Sequence, residues 1–100
     1  MAFRLHRNVG TEVPPYLLVL QHPFLDDELE SRVVAPVVPA TERQAIPQLN
    51  PPVVVDTRPY VAMISGLVAV PKRYLGEAVA YDGLGEDDVK RCLDRLLYGI

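Results

Sequence analysis

Only one cysteine, Cys92, occurs in the chain, so no internal disulfide can form, and the protein is read as belonging to a reducing compartment, the cytoplasm. Cys92 has no histidine or other base near it in sequence and reads as a buried, inert thiol. Histidine is scarce as well. His6 and His22 fall in separate predicted strands and lack the clustered spacing of metal ligands. No apolar run is long enough to span a bilayer, and Met1 to Asn8 alternates and carries charge, unlike a secretion signal. Positive charge is not in excess. The formal net charge is −3 and the pI about 5.2, which argues against a direct electrostatic grip on nucleic acid. A glycine-rich phosphate loop, a nucleophile elbow, repeats and low-complexity linkers are all missing. As an enzyme the sequence offers no candidate.

What is present is apolar. Hydrophobic residues make up 49% of 100 residues, a length that suits one domain over 1–100. A domain this small keeps much of its surface outside the core, so surplus apolar content points to an oligomer or a large partner interface. Ten prolines argue against a helical bundle. Phe3 and Leu5 alternate with Arg4 and His6, a half-buried first strand. Tyr16 to Gln21 is nearly continuous, as in a central strand. Arg32 to Val38 is a further strand in which Pro36 marks an edge or a bulge. Val53–Asp56 and Tyr60–Ile64 follow, separated by Thr57-Arg58-Pro59. Ser65-Gly66 then reads as a hairpin turn into Leu67–Val70, which Pro71 ends. Thr41 to Asn50 fits either a helical turn or an irregular loop.

The closing segment is an amphipathic helix. Glu86, Asp87 and Asp88 favour the positive end of the helix dipole. Val89, Cys92, Leu93, Leu96 and Leu97 recur at spacings of three and four, opposite Lys90, Arg91, Asp94 and Arg95. Gly99 stands where helices commonly end in a left-handed residue. Strands first and a helix last give an α+β order, mainly β, with the helix closing the core of a curled antiparallel sheet. Two places have open readings. Tyr98 and Ile100 either fold back onto the sheet or are displayed to a partner. Phe24 and Leu25, before the acidic run Asp26, Asp27, Glu28 and Glu30, either place one residue in the core or extend an interaction patch. The acidic run itself reads as a solvated loop.

Taken in order, several segments resemble the CcdB family of toxins. They are Met1-Ala2-Phe3-Arg4-Leu5, Tyr16-Leu17-Leu18-Val19-Leu20-Gln21, Arg32-Val33-Val34-Ala35-Pro36-Val37, Leu49-Asn50-Pro51-Pro52-Val53-Val54-Val55-Asp56 and Val68-Ala69-Val70-Pro71 with Gly76-Glu77. The strongest part is Asp87-Asp88-Val89-Lys90 leading to Leu97-Tyr98-Gly99-Ile100. The resemblance implies an SH3-like barrel of curled antiparallel sheet with a carboxyl-terminal helix, a homodimer, no bond-making chemistry and no cofactor. It implies a toxin that binds the DNA gyrase A subunit and traps the gyrase–DNA cleavage complex. A CcdA-like antitoxin would neutralise it with a segment that folds on binding, and the pair would repress its own operon, touching DNA only through the antitoxin. No membrane is implicated.

The family's gyrase contact maps onto Tyr98, Gly99 and Ile100. Its apolar loop pair maps onto Phe24 and Leu25, and its helix positions onto Asp94 and Leu97. An aromatic at this position would stack on arginine guanidinium groups. Two positions depart from the family pattern: Tyr98 stands where tryptophan is best known, and Pro23 replaces a polar residue before the loop pair. Two alternative readings follow: a non-toxic member that keeps antitoxin binding, or a small β-barrel adaptor whose apolar tail docks another protein. Candidate dimer surfaces are the helix stripe and the strand at Leu67–Val70.

Overall fold

The computed structural model describes residues 3–100, so the Met1-Ala2 start of the first resembling segment lies outside the described residues. Among the described residues seven strands form one antiparallel sheet: β1 (Leu5–Asn8), β2 (Tyr16–Val19), β3 (Ser31–Pro39), β4 (Pro52–Val55), β5 (Arg58–Ala62), β6 (Val68–Pro71) and β7 (Leu75–Val79). Helix α1 (Glu86–Tyr98) closes the chain. Strand order is β4-β5-β3-β2-β1-β7, with β6 also on β3. The ladder does not close into a complete barrel. One bridge draws its ends together: the backbones of Val54 and Asp82 exchange two hydrogen bonds of 2.9 Å. The fold is therefore α+β, mainly β, with a curled sheet and a carboxyl-terminal helix.

β2 is buried on both faces, which explains its unbroken apolar run. Tyr16 and Leu18 join Phe3, Leu5, Ala35, Val37, Val53, Val55, Ala62 and Ile64 beneath Val89 and Cys92 of α1. Leu17 and Val19 face the other way and pack with Val34, Val70, Tyr74 and Leu75. Burying each such aliphatic side chain contributes roughly 1.5–3 kcal/mol.

β3 is the spine of the sheet and corrects the reading of Pro36. It pairs with β2 on one side, and on the other with β6 through Ser31–Val34 and with β5 through Val37–Pro39. Pro36 sits in the gap where the second partner changes, so a central strand tolerates a residue without an N–H. Its carbonyl accepts from the Met63 N–H at 2.8 Å. The hairpin expected at Ser65-Gly66 does not form. A 3₁₀ turn, Ile64–Gly66, carries the chain past Pro36, so β5 and β6 lie end to end along β3 instead of pairing with each other. The turn between β4 and β5 is Asp56-Thr57, both at positive φ (51° and 63°), the arrangement of a two-residue hairpin. Arg58 and Pro59 accordingly belong to β5. Thr41–Asn50 is turn-rich, with one bridge between Ile46 and Asn50. β7, which pairs with β1, was not foreseen.

Candidate functional site

After β2 the chain leaves the sheet in a 3₁₀ turn, Pro23–Leu25. Proline at its first position supplies the required φ. His22, expected from sequence in a strand, instead caps this turn: its Nδ1 accepts from the Phe24 N–H at 3.0 Å, and its ring meets Phe24 edge-on at 6.4 Å. Leu25 and Asp26 donate backbone N–H groups to the carbonyls of His22 and Pro23, both at 3.0 Å. The turn thereby holds Phe24 outward, 78% exposed, and turns Leu25 toward the end of α1.

The acidic first turn of α1 suits the helix dipole, and Asp88 Oδ2 accepts from the Gly85 N–H at 2.9 Å. Val89 and Cys92 are buried, Leu93 and Leu96 pack against the core, and Leu97 is 60% exposed. The stripe is thus spent on the protein's own core, except at its last member. Gly99 ends the helix in the left-handed region, φ 74° and ψ 18°, with its N–H on the Arg95 carbonyl at 3.0 Å. Tyr98 and Ile100 on either side are 72% and 80% exposed. The fold-back reading of the tail is overturned, and neither Phe24 nor Leu25 plugs the core.

The two segments meet. Leu25, Leu29, Leu93 and Leu97, with Leu20, Val33 and Leu67, line an apolar hollow of about 410 Å³. Gln21 and His22 complete it. Gln21 Oε1 accepts from the Val33 N–H at 3.3 Å, while its Nε2 is buried with no hydrogen-bond partner among the described residues. Of the residues singled out from sequence, Leu25 and Leu97 share the hollow, Phe24 stands at its side, and Tyr98, Gly99 and Ile100 continue directly from Leu97. Asp94 is exposed on α1 and does not line it.

Leu29 was missed. Its signal was present, an isolated apolar residue inside the acidic run. That run is not simply solvated. Asp26 Oδ2 lies 3.1 Å from Arg4 Nη2 and Oδ1 lies 3.4 Å from Arg32 Nε. Glu30 does stay exposed and reaches Lys72 at 3.5 Å, a surface pair that contributes little.

Among the described residues no group of three His, Cys, Asp or Glu side chains is placed to hold a metal ion. The Cys92 thiol donates to the Pro47 carbonyl at 3.6 Å, and burial, then the nearby Asp88 carboxylate, pushes it above its ordinary pKa. It is held as a thiol, not as a nucleophilic thiolate. No helix among the described residues is long and apolar enough to cross a membrane. What this surface offers is an exposed aromatic and exposed aliphatics around a hollow, the arrangement of a protein-docking hot spot.

The pattern that defines the CcdB protein family matches residues 2–99, nearly the entire chain. The chain belongs to the CcdB family. A comparison with curated proteins returns no match. CcdB-family proteins are the toxins of toxin–antitoxin pairs directed at gyrase, and act as poisons of that enzyme instead of as catalysts. In this CcdB-family chain Leu25 and Leu97 line one hollow, and Phe24, Tyr98 and Ile100, their neighbours along the chain, are exposed.

Proposed function

We propose that this chain is the toxin of a type II pair, a cytoplasmic homodimer whose copies are each a single toxin domain over residues 1–100. It binds the DNA gyrase A subunit through Tyr98, Gly99, Ile100, Leu97, Phe24 and Leu25, with Asp94 beside them on α1, and traps the enzyme while DNA is cleaved. A CcdA-like antitoxin neutralises it, and the two together repress their operon, with the antitoxin making the DNA contacts.

The observation that carries this reading is the display of Tyr98 and Ile100 on either side of a left-handed Gly99, immediately after Leu97, which shares a hollow with Leu25. A tyrosine face accepts an arginine guanidinium, and an aliphatic tip fills an apolar recess. The net charge of −3 supports leaving DNA to the antitoxin. The half-exposed edge strand β6, with Val68 outward, supports a second copy as a partner. The test is induction in a gyrase-sensitive host: the full chain kills, co-expression of the antitoxin rescues, and the chain lacking Tyr98, Gly99 and Ile100 is harmless although folded.

One observation favours a second reading. Tyr98 is a weaker cation partner than the tryptophan best known there, so gyrase affinity drops by on the order of 1 kcal/mol. A member that has lost toxicity this way leaves the host alive yet is still stabilised by its antitoxin, and Tyr98→Trp restores killing.

A further inference from the structure

Arg32, at the start of β3, is only 8% exposed, yet its guanidinium serves the preceding loop instead of the sheet core. Nη1 donates to the carbonyls of Leu29 at 2.7 Å and Ser31 at 3.0 Å, and Nη2 donates to the carbonyl of Asp26 at 3.0 Å. Nε faces Asp26 Oδ1 at 3.4 Å. That oxygen is buried and has no hydrogen-bond donor, so the guanidinium is its charge partner. Asp26 Oδ2 takes Nη2 of Arg4 at 3.1 Å from the segment that leads into β1. Between these clamps the loop is a short coil of backbone bonds, with the N–H groups of Glu28 and Leu29 both on the Leu25 carbonyl at 3.0 and 3.2 Å. Leu25 and Leu29, on either side of Asp26, both line the hollow.

We infer that Arg32 is a positioning residue for the gyrase contact: with Asp26 it holds the Pro23–Leu29 loop in the shape that sets Leu25 and Leu29 into the hollow and Phe24 outside it. The inference rests on the proposed gyrase reading, because Arg32 acts through that surface and touches no partner. Without the guanidinium, the carbonyls of Asp26 and Leu29 and a buried carboxylate oxygen lose a donor or counter-charge at once. Water restores them only if the loop opens. The planar fork is what spans these acceptors together, and a point-like ammonium does not reproduce it.

The test uses the full-length protein, Arg32→Gln, Asp26→Asn, and Arg32→Gln placed in a Phe24→Ala/Leu25→Ala background. Two signals are read: affinity for the purified gyrase A subunit, and amide hydrogen exchange at Leu25, Asp26, Glu28 and Leu29. Arg32→Gln is expected to weaken binding by about tenfold or more. Exchange should quicken at those four amides, while β2 and α1 keep their protection. In the Phe24→Ala/Leu25→Ala background, Arg32→Gln should cost no further affinity, because the contact it positions is already gone. Asp26→Asn, which keeps the arginine and the size of the side chain, should shift both signals in the same direction and carries the test if Arg32→Gln does not fold. Unchanged loop exchange in both variants overturns the inference. So does an equal affinity loss in both backgrounds, the sign of general destabilisation. A wild-type chain that leaves the gyrase A subunit unbound overturns the gyrase reading instead, and shows in a different signal from loop exchange.

Discussion

Leu25 and Leu97 form opposite parts of one apolar hollow, the first carried by a 3₁₀ turn after β2 and the second by the last turn of α1. Neither residue contributes to the main core, and each would be an ordinary exposed leucine alone. Together they make a recess flanked by Phe24 and by the tail.

Leu97→Asp separates docking from folding. Leu97 is largely solvated already, so thermal stability should change by about 0.5 kcal/mol or less. A charge in the recess should cost gyrase affinity about 2 kcal/mol, roughly thirtyfold. Leu25→Asp should act in the same direction, and the double variant should lose less than the sum because the two share one contact. Calorimetric unfolding beside equilibrium binding checks both points.

Gly99→Ala tests the shape of the tail. A Cβ there meets nothing within 4 Å, so the penalty is conformational, coming from φ 74° alone, and is about 1 kcal/mol. The last turn can fray without opening the sheet, so the melting temperature should hardly move. Gyrase affinity should fall about fivefold. D-alanine at the same position, which prefers positive φ, should restore it.

Part of this was open to reading from the sequence. β2 was legible because burial on both faces demands an unbroken apolar run, and α1 because its stripe, acidic start and Gly99 stop agree. β7 was not, since Leu75-Gly76-Glu77-Ala78-Val79 has little intrinsic strand preference and owes its form to pairing with β1. Ser65-Gly66 carried a local hairpin signal, but the length of β3 overrode it by offering β5 and β6 separate stretches. At the site, the tail could be singled out by its apolar character. The meeting of Leu25 with Leu97, and the grip of Arg32 on Asp26, join segments far apart in the chain, and no local pattern encodes them.

Alkaline pH should destabilise the fold in a predictable window. Burial, then Asp88, raises the Cys92 thiol from its ordinary 9.0, and burial, then Glu86, raises the Tyr81 hydroxyl from 10.0. Tyr81 also donates to the Phe3 carbonyl. Both groups hold their protons more tightly in the folded state, so the unfolded chain releases them first as pH rises. The stabilisation is complete below about pH 9 and is lost as pH climbs through the folded values. Urea midpoints should hold from about pH 8 to about pH 9 and fall from there to about pH 10.5, and Cys92→Ala should remove the earlier part of the decline.

The most direct test of the central claim is an in vitro gyrase cleavage assay on the purified protein, run beside a folded version lacking Tyr98, Gly99 and Ile100. Linear DNA accumulating with the full-length protein alone is the predicted result, and it would locate the working surface at the tail. Cleavage by neither protein, or equal cleavage by both, would contradict the claim that this tail traps gyrase on cut DNA.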